Sequence, residues 1–265
     1  RRQRQMCIRD SYYTEEEVRR VVIPSNGRLT ESPEAGSQWR EDSWIVGDSI
    51  SIFLSEEKVD SARVIGASKA MYYPVEGEAG KVSNNFSSGD TMFFRFDEEE
   101  LDYVRISGSA DGTYNFMNLA GNQTIDSIAA SIDSSLQYRD FADQAEKVQY
   151  EADVIEYFAK TENVFLEGSA GLAYQNRKLS ADRIDFNSRL NVLEAVGDPV
   201  MEEDGQKMYG ADMGYHMDHE SGVVVEGSTK YGDGYYLGEH IFKVGKDVLK
   251  VYNSVYTTCD LKHPH

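Results

Sequence analysis

An internal repeat constrains this chain more than any other feature. Ala152-Asp153, Ala181-Asp182 and Ala211-Asp212 recur at intervals of 29 and 30 residues, and Gly168, Gly197 and Gly227 follow each Asp by 15. Each glycine comes four residues after an apolar one: Val164, Leu193 and Val223. A looser form lies upstream, where Gly47-Asp48 leads to Gly66 and Gly89-Asp90 to Gly108, both steps being 18. Tyr72, Tyr114 and Tyr174 each stand six residues after one of these glycines. Such a period marks a repeated supersecondary unit. A unit this small cannot bury its own apolar face, so neighbouring units must stack.

The residues inside a unit say what it is made of. Met92, Phe94 and Phe96 alternate with Phe93 and Arg95, and Ile50, Ile52 and Leu54 alternate in the same way. Asp182, Ile184 and Phe186 alternate with Arg183 and Asp185. These period-two patterns, rich in β-branched and aromatic residues, read as strands. Polar turn signals separate them: Ser55-Glu56-Glu57-Lys58, Asp97-Glu98-Glu99-Glu100, Asn187-Ser188-Arg189, Glu202-Glu203-Asp204-Gly205 and Asp218-His219-Glu220-Ser221-Gly222. Each unit is then a hairpin with an acidic turn, and its glycine suits a bulge at a sheet corner. The expected fold is all-β: an elongated β-jelly roll or β-taco of stacked antiparallel hairpins.

The boundaries follow from where this grammar stops. Met6-Cys7-Ile8-Arg9-Asp10-Ser11 resembles translated sequencing-adapter read-through, so residues 1–20 read as an artefact or a disordered leader. Residues 21–43, with Pro24, Gly27, Pro33 and Gly36, read as a loop or linker. Residues 44–265 read as a single domain. Its exception is the stretch 118–147, where Ile125, Ile128, Ala129, Ile132 and Leu136 fit helical spacing. A degenerate repeat is the alternative, because Gly108 and Gly168 are 60 residues apart, twice the period.

Charge narrows the partners. With 46 Asp and Glu against 27 Lys and Arg, the net charge is −19. That disfavours nucleic acid and anionic membrane surfaces, both of which call for basic patches. Much of the acid sits in the turns, where it keeps an elongated β body soluble. Signs of catalysis are sparse. There is no Gly-x-Ser-x-Gly elbow, no phosphate-binding glycine loop and no His-Glu-x-x-His, and the chain is expected to be no enzyme. His216-Met217-Asp218-His219, with His240, is the best metal candidate, yet it falls at a turn, so no metal or cofactor is expected. Tyr235 and Tyr236 fit half-buried strand aromatics better than a sugar-stacking surface.

A family resemblance rests on named residues in the second half. Ala152-Asp153 through Gly168-Ser169-Ala170, Leu179-Ser180-Ala181-Asp182-Arg183-Ile184 and Leu193-Glu194-Ala195-Val196-Gly197 resemble OstA-type repeats. So do Tyr209-Gly210-Ala211-Asp212-Met213-Gly214-Tyr215 and Val225-Glu226-Gly227-Ser228-Thr229. The ending Tyr256-Thr257-Thr258-Cys259-Asp260-Leu261-Lys262-His263-Pro264-His265 is similar to the join between periplasmic domain and β-barrel in the lipopolysaccharide-assembly LptD family. The resemblance covers 148–265 well and 44–115 more loosely, and the stretch 118–147 departs from it.

The resemblance implies a periplasmic or outer-membrane setting and a groove that shields the acyl chains of lipopolysaccharide on their way to a C-terminal barrel beyond this sequence. It implies an LptA-like bridge protein joining by edge-strand addition and an LptE-like lipoprotein engaging the barrel. The residues expected to face the groove are Ile155, Val164, Leu166, Ile184, Phe186, Leu193, Val223, Val225 and Ile241. Periodicity alone supports a closed core with no ligand. Cys259 matches a family position that can form a disulfide with the barrel, a plain buried thiol being the alternative. A soluble LptA-like bridge and a scaffolding β-solenoid that binds no lipid also remain open, as does a carbohydrate-active or metal-dependent enzyme on a β-helix.

Overall fold

The computed structural model describes residues 4–6, 10–14, 17–33, 41–73, 81–98, 100–118, 145–245 and 248–258, which hold strands and turns and no helix. The chain forms two compact units, residues 1–149 and 150–265. In chain order the strands are β1 (Arg4–Met6), β2 (Asp10–Thr14), β3 (Glu17–Ile23), β4 (Gly27–Glu31), β5 (Ser43–Gly47), β6 (Ser49–Ser55), β7 (Lys58–Tyr72), β8 (Lys81–Asp97) and β9 (Glu100–Asn118). There follow β10 (Glu146–Phe158), β11 (Asn163–Tyr174), β12 (Arg177–Asn187), β13 (Val192–Val196), β14 (Val200–Glu203) and β15 (Gln206–Tyr209). The last are β16 (Asp212–His216), β17 (Ser221–Tyr231), β18 (Gly234–Val244) and β19 (Val248–Thr257).

In the first unit, long strands serve two sheet segments each. The first half of β7 pairs with β6, from Ser55↔Lys58 to Ser49↔Ile65, and its second half pairs with β5 through Val46↔Lys69 and Trp44↔Met71. β8 and β9 continue both segments. One apolar row crosses the first segment: Ile23↔Ile50, Ile50↔Val64, Val64↔Met92 and Met92↔Ile106. None of these five side chains is more than 4% exposed. Cross-strand neighbours on one face are the unit of sheet stabilisation, and this row is the core of the segment.

The recurring glycines sit where a strand passes from one segment to the other. Gly66 has φ +78° and Ala67 φ +43°, and the register of β7 on β8 shifts between Ile65 and Ser68. The Asp48 N–H donates to the Gly66 carbonyl at 2.9 Å, and a Cβ on Gly66 would overlap the Asp48 side chain. Gly168, with φ +78°, has the same relation to Asp153, and Ser169 beside it has φ +50°. An extra pair of residues in the left-handed region is a β-bulge, which bends and twists the strand. Glycine fits because it has no Cβ to strain the backbone or to meet the Asp. In four of the five repeats the Asp and Gly are thus two sides of one contact. The last repeat differs: Glu226 takes the positive φ, +50°, and the space above Gly227 is filled by Ile241, whose Cδ1 lies 2.8 Å from where a Cβ would stand.

Three boundaries differ from the sequence reading. Strands β1 and β2 occupy the expected leader, and β1 pairs with β4 while β2 pairs with β3. The end of β3 and all of β4 lie in the expected loop, where Val21 and Ile23 are core residues, 6% and 4% exposed, in register with Ile52 and Ile50. The expected single domain is two units, each with its own core. The helical spacing at 118–147 lies almost wholly outside the described residues, as do Cys7 and Cys259.

Candidate functional site

The second unit repeats the plan of the first. One segment takes β11, β12, β13, β16, β17, β18 and β19 along the row Leu166↔Ile184, Ile184↔Ala195, Ala195↔Met213, Met213↔Val224, Val224↔Ile241 and Ile241↔Val251. From Leu166 to Ile241 these side chains are at most 7% exposed. The other segment takes the far halves of β11, β12, β17, β18 and β19 with β14 and β15. Its row is Leu172↔Leu179, Leu179↔Met201, Met201↔Met208, Met208↔Thr229, Thr229↔Tyr236 and Tyr236↔Tyr256. At the corner the inward parity slips by one. On β12 both Ala181 and Ile184 are buried, while Asp182 and Arg183 between them are exposed.

Six of the groove residues expected from the sequence share the inward face of the first segment or its continuation. Leu166, Ile184, Leu193 and Ile241 are buried there, and Val164 and Phe186 are partly buried along Val164↔Phe186 and Phe186↔Leu193. Ile155 on β10 is buried as well, at 4% exposure. Val223 and Val225 require correction. They pair with Phe242 and His240 and stand on the opposite face, while Val224 between them points inward at 7% exposure. Three successive valines carry no alternation, so nothing in Val223-Val224-Val225 itself tells the faces apart.

The sequence reading missed a polar cluster joining the two segments. Arg177 and Glu203 are direct partners in the β12–β14 ladder, and Arg177 Nε donates to Glu203 Oε1 at 2.7 Å. Lys243, on β18 in the other segment, donates from Nζ to Glu203 Oε2 at 2.8 Å. The three side chains are 25%, 30% and 17% exposed, in that order. Arg177 also lies over the Tyr215 ring, 6.0 Å from its centroid. The Tyr215 hydroxyl is buried with no hydrogen-bond partner. Burial alone would raise the Glu203 pKa, but the hydrogen bonds from Lys243 and Arg177 outweigh it and hold the carboxyl below its ordinary value. Burial would likewise lower Arg177, but its bond to Glu203 and the nearby carboxylates of Glu203 and Glu220 raise it instead. The signal available in the sequence was an Arg, a Glu and a Lys at strand positions whose neighbours two residues away, Leu179, Met201 and Ile241, are apolar.

The other candidates separate. The His216 and His219 rings are 4.2 Å apart, but Asp218 is engaged by Asn191 Nδ2 at 3.1 Å and His240 stacks on Phe242 at 6.0 Å. Among the described residues no three His, Cys, Asp or Glu converge as metal ligands. Tyr236 packs on Tyr256 with centroids 5.0 Å apart, and Lys230 Nζ lies 5.2 Å from the Tyr235 ring centroid. On β19, Tyr252, Val255 and Tyr256 are each 57% exposed.

What the fold and site define is an all-β protein of bent antiparallel sheets with an apolar interior and an ionic clasp. No family profile and no curated protein sequence matches the chain. Among solved structures it is similar to LptH of Pseudomonas aeruginosa, described as the LptA-homologous periplasmic component of the lipopolysaccharide transport device. The TM-score is 0.38 and the identity 13%, over 61% of this chain and 86% of that one.

Proposed function

We propose that the second unit is a non-catalytic, periplasmic lipopolysaccharide-binding domain that shelters acyl chains between its two sheet segments. The observation that carries this reading is the unbroken apolar row from Leu166 to Val251, faced by a second row rich in Met and Tyr. Met201, Met208 and Met213 are suited to such a role, since unbranched thioethers repack around irregular apolar ligands. The OstA-like repeats supply the substrate class. Within this reading the chain is the periplasmic part of an LptD-like assembly protein that passes lipid to a barrel in the outer membrane and engages an LptE-like lipoprotein through it. The exposed apolar residues of β19 suit edge-strand addition by an LptA-like bridge.

A specific observation favours a second reading, a scaffold with a permanently closed core. Ile184 and Ala195 are 0% exposed. The deciding experiment is native mass spectrometry of the full chain with lipid A. A stoichiometric complex, weakened by Ile184→Asp with Val224→Asp and by the milder Met213→Ala, supports binding. A folded protein, verified by circular dichroism, that takes up no lipid A refutes it.

A further inference from the structure

We propose that Arg177, Lys243 and the Tyr215 hydroxyl form a site for the phosphate monoester of an anionic amphiphile, which Glu203 fills with its own carboxylate while the unit is closed. This rests on the amphiphile-binding reading above and adds what the head group must be.

Three observations carry it. The first is placement. Lys243 lies two residues beyond Ile241, Tyr215 two beyond Met213, Arg177 two before Leu179 and Glu203 two beyond Met201, all on inward positions. The cluster therefore caps the apolar rows, where the head of a molecule whose chains follow those rows would stand. The second is charge. Arg177 and Lys243 both bond the one carboxylate of Glu203, with the charge of Glu220 also felt at Arg177, in a chain of net charge −19. Outward-facing arginines such as Arg95 and Arg183 are each matched to their own aspartate, Asp102 and Asp185. The third is the donor count. Glu203 offers two oxygens and satisfies Arg177 and Lys243, which leaves the buried Tyr215 hydroxyl with nothing to bond. A phosphate monoester offers three terminal oxygens and more negative charge, so it satisfies all three donors at once. Arginine and lysine are the side chains suited to that task, the one as a planar fork and the other as a point charge.

Glu203 bridges cations from both segments, so an incoming phosphate that takes over Arg177 and Lys243 frees the β14 carboxylate and bridges the same two segments in its place.

The test is isothermal titration of the full chain with decyl phosphate, decyl maltoside and inorganic phosphate, all below micellar concentrations. Decyl phosphate is expected to bind about 10-fold or more tighter than decyl maltoside, the range for hydrogen bonds to charged groups. Tyr215→Phe removes only an unpartnered hydroxyl and keeps the fold, so a selective loss of several-fold for decyl phosphate supports the site. Lys243→Gln should do the same, and Glu203→Gln should tighten decyl phosphate by removing its competitor. Equal affinity for the two decyl compounds overturns the anion site and leaves the amphiphile reading intact. Failure of both to bind overturns the amphiphile reading as well. Inorganic phosphate binding as tightly as decyl phosphate also overturns the proposal, since the site would then recognise a free anion.

Discussion

The contact between Asp and Gly at each corner makes a prediction that two glycines with the same backbone separate cleanly. Gly168 and Gly205 both have φ +78°. A Cβ on Gly168 would lie 2.9 Å from both Cβ and Cγ of Asp153, whereas a Cβ on Gly205 would meet nothing within 4 Å. Ala in the left-handed region costs about 1–2 kcal/mol at either position. At Gly168 there is an added overlap with an atom next to the β10 backbone, which no rotamer change relieves, and overpacking of that kind costs about 1–3 kcal/mol. Gly168→Ala should therefore destabilise by about 2–5 kcal/mol and Gly205→Ala by only about 1–2. With a urea slope of about 2 kcal/mol/M, the midpoints fall by about 1–2.5 M and 0.5–1 M. The signal should be far-UV circular dichroism, because both tryptophans, Trp39 and Trp44, belong to the first unit and do not report on this one. Adding Asp153→Ala to Gly168→Ala should recover part of the loss, since it removes Cγ and the carboxylate and keeps Cβ. Equal midpoint shifts for Gly168→Ala and Gly205→Ala would refute the reasoning, as would a double variant less stable than additivity predicts.

Other outcomes follow from the register and the clasp. Val224→Asp buries a carboxylate in the apolar row and should cost about 3 kcal/mol or more, while Val225→Asp, on the opposite face, should cost about 1 or less; comparable urea midpoints would mean the inward face is misassigned. Glu203→Gln should cost about 1 kcal/mol at pH 7, a small figure because the cluster is partly exposed. Glu203 has a folded pKa below its unfolded value near 4.3, so its contribution is present above that pH and is lost as pH falls through the folded value. The gap between wild type and Glu203→Gln should thus be constant from pH 5 to 7 and close below about pH 4; a gap that widens in acid would contradict the cluster. Lys243→Met should narrow the same gap at neutral pH, measured by a double-mutant cycle with Glu203→Gln.

Much of the architecture was legible because its signals are local. Alternation in Ile50-Ser51-Ile52 and Met92-Phe93-Phe94 marked strands whose inward residues are buried, and the acidic turns fall where strands reverse. The 15- and 18-residue steps from Asp to Gly were visible as spacing, but in four of the five repeats they mark a contact across neighbouring strands, which spacing cannot show. The faces of Val223 and Val225 were not legible, since a run of identical residues carries no phase and the positive φ at Glu226 turns the strand nearby. β3 and β4 were hidden by Pro24, Gly27 and Pro33, turn residues that here flank strands whose hydrogen-bonding partners are remote in sequence. The clasp was least legible of all: Arg177, Glu203 and Lys243 are spread over 67 positions (177 to 243, counting both) and meet only because the chain turns the same corner repeatedly.

The corner and the clasp act on the same degree of freedom from opposite sides. At the corner, paired residues of positive φ with an Asp seated on a Gly fix where each strand bends and leave little room for adjustment. Away from the corner, the segments are held by apolar contact and by a cluster worth about 1 kcal/mol when partly exposed. Opening the interior therefore sacrifices weak, replaceable contacts and leaves the bend alone. An acyl chain returns about 0.8 kcal/mol for each methylene it buries, close to what the rows lose where they part. On the proposed function, exchange between closed and loaded states would then be nearly balanced in free energy. A tight, irreversible sink would need a preformed cavity, and side chains such as Ile184 and Ala195 at 0% exposure fill the place where one would be.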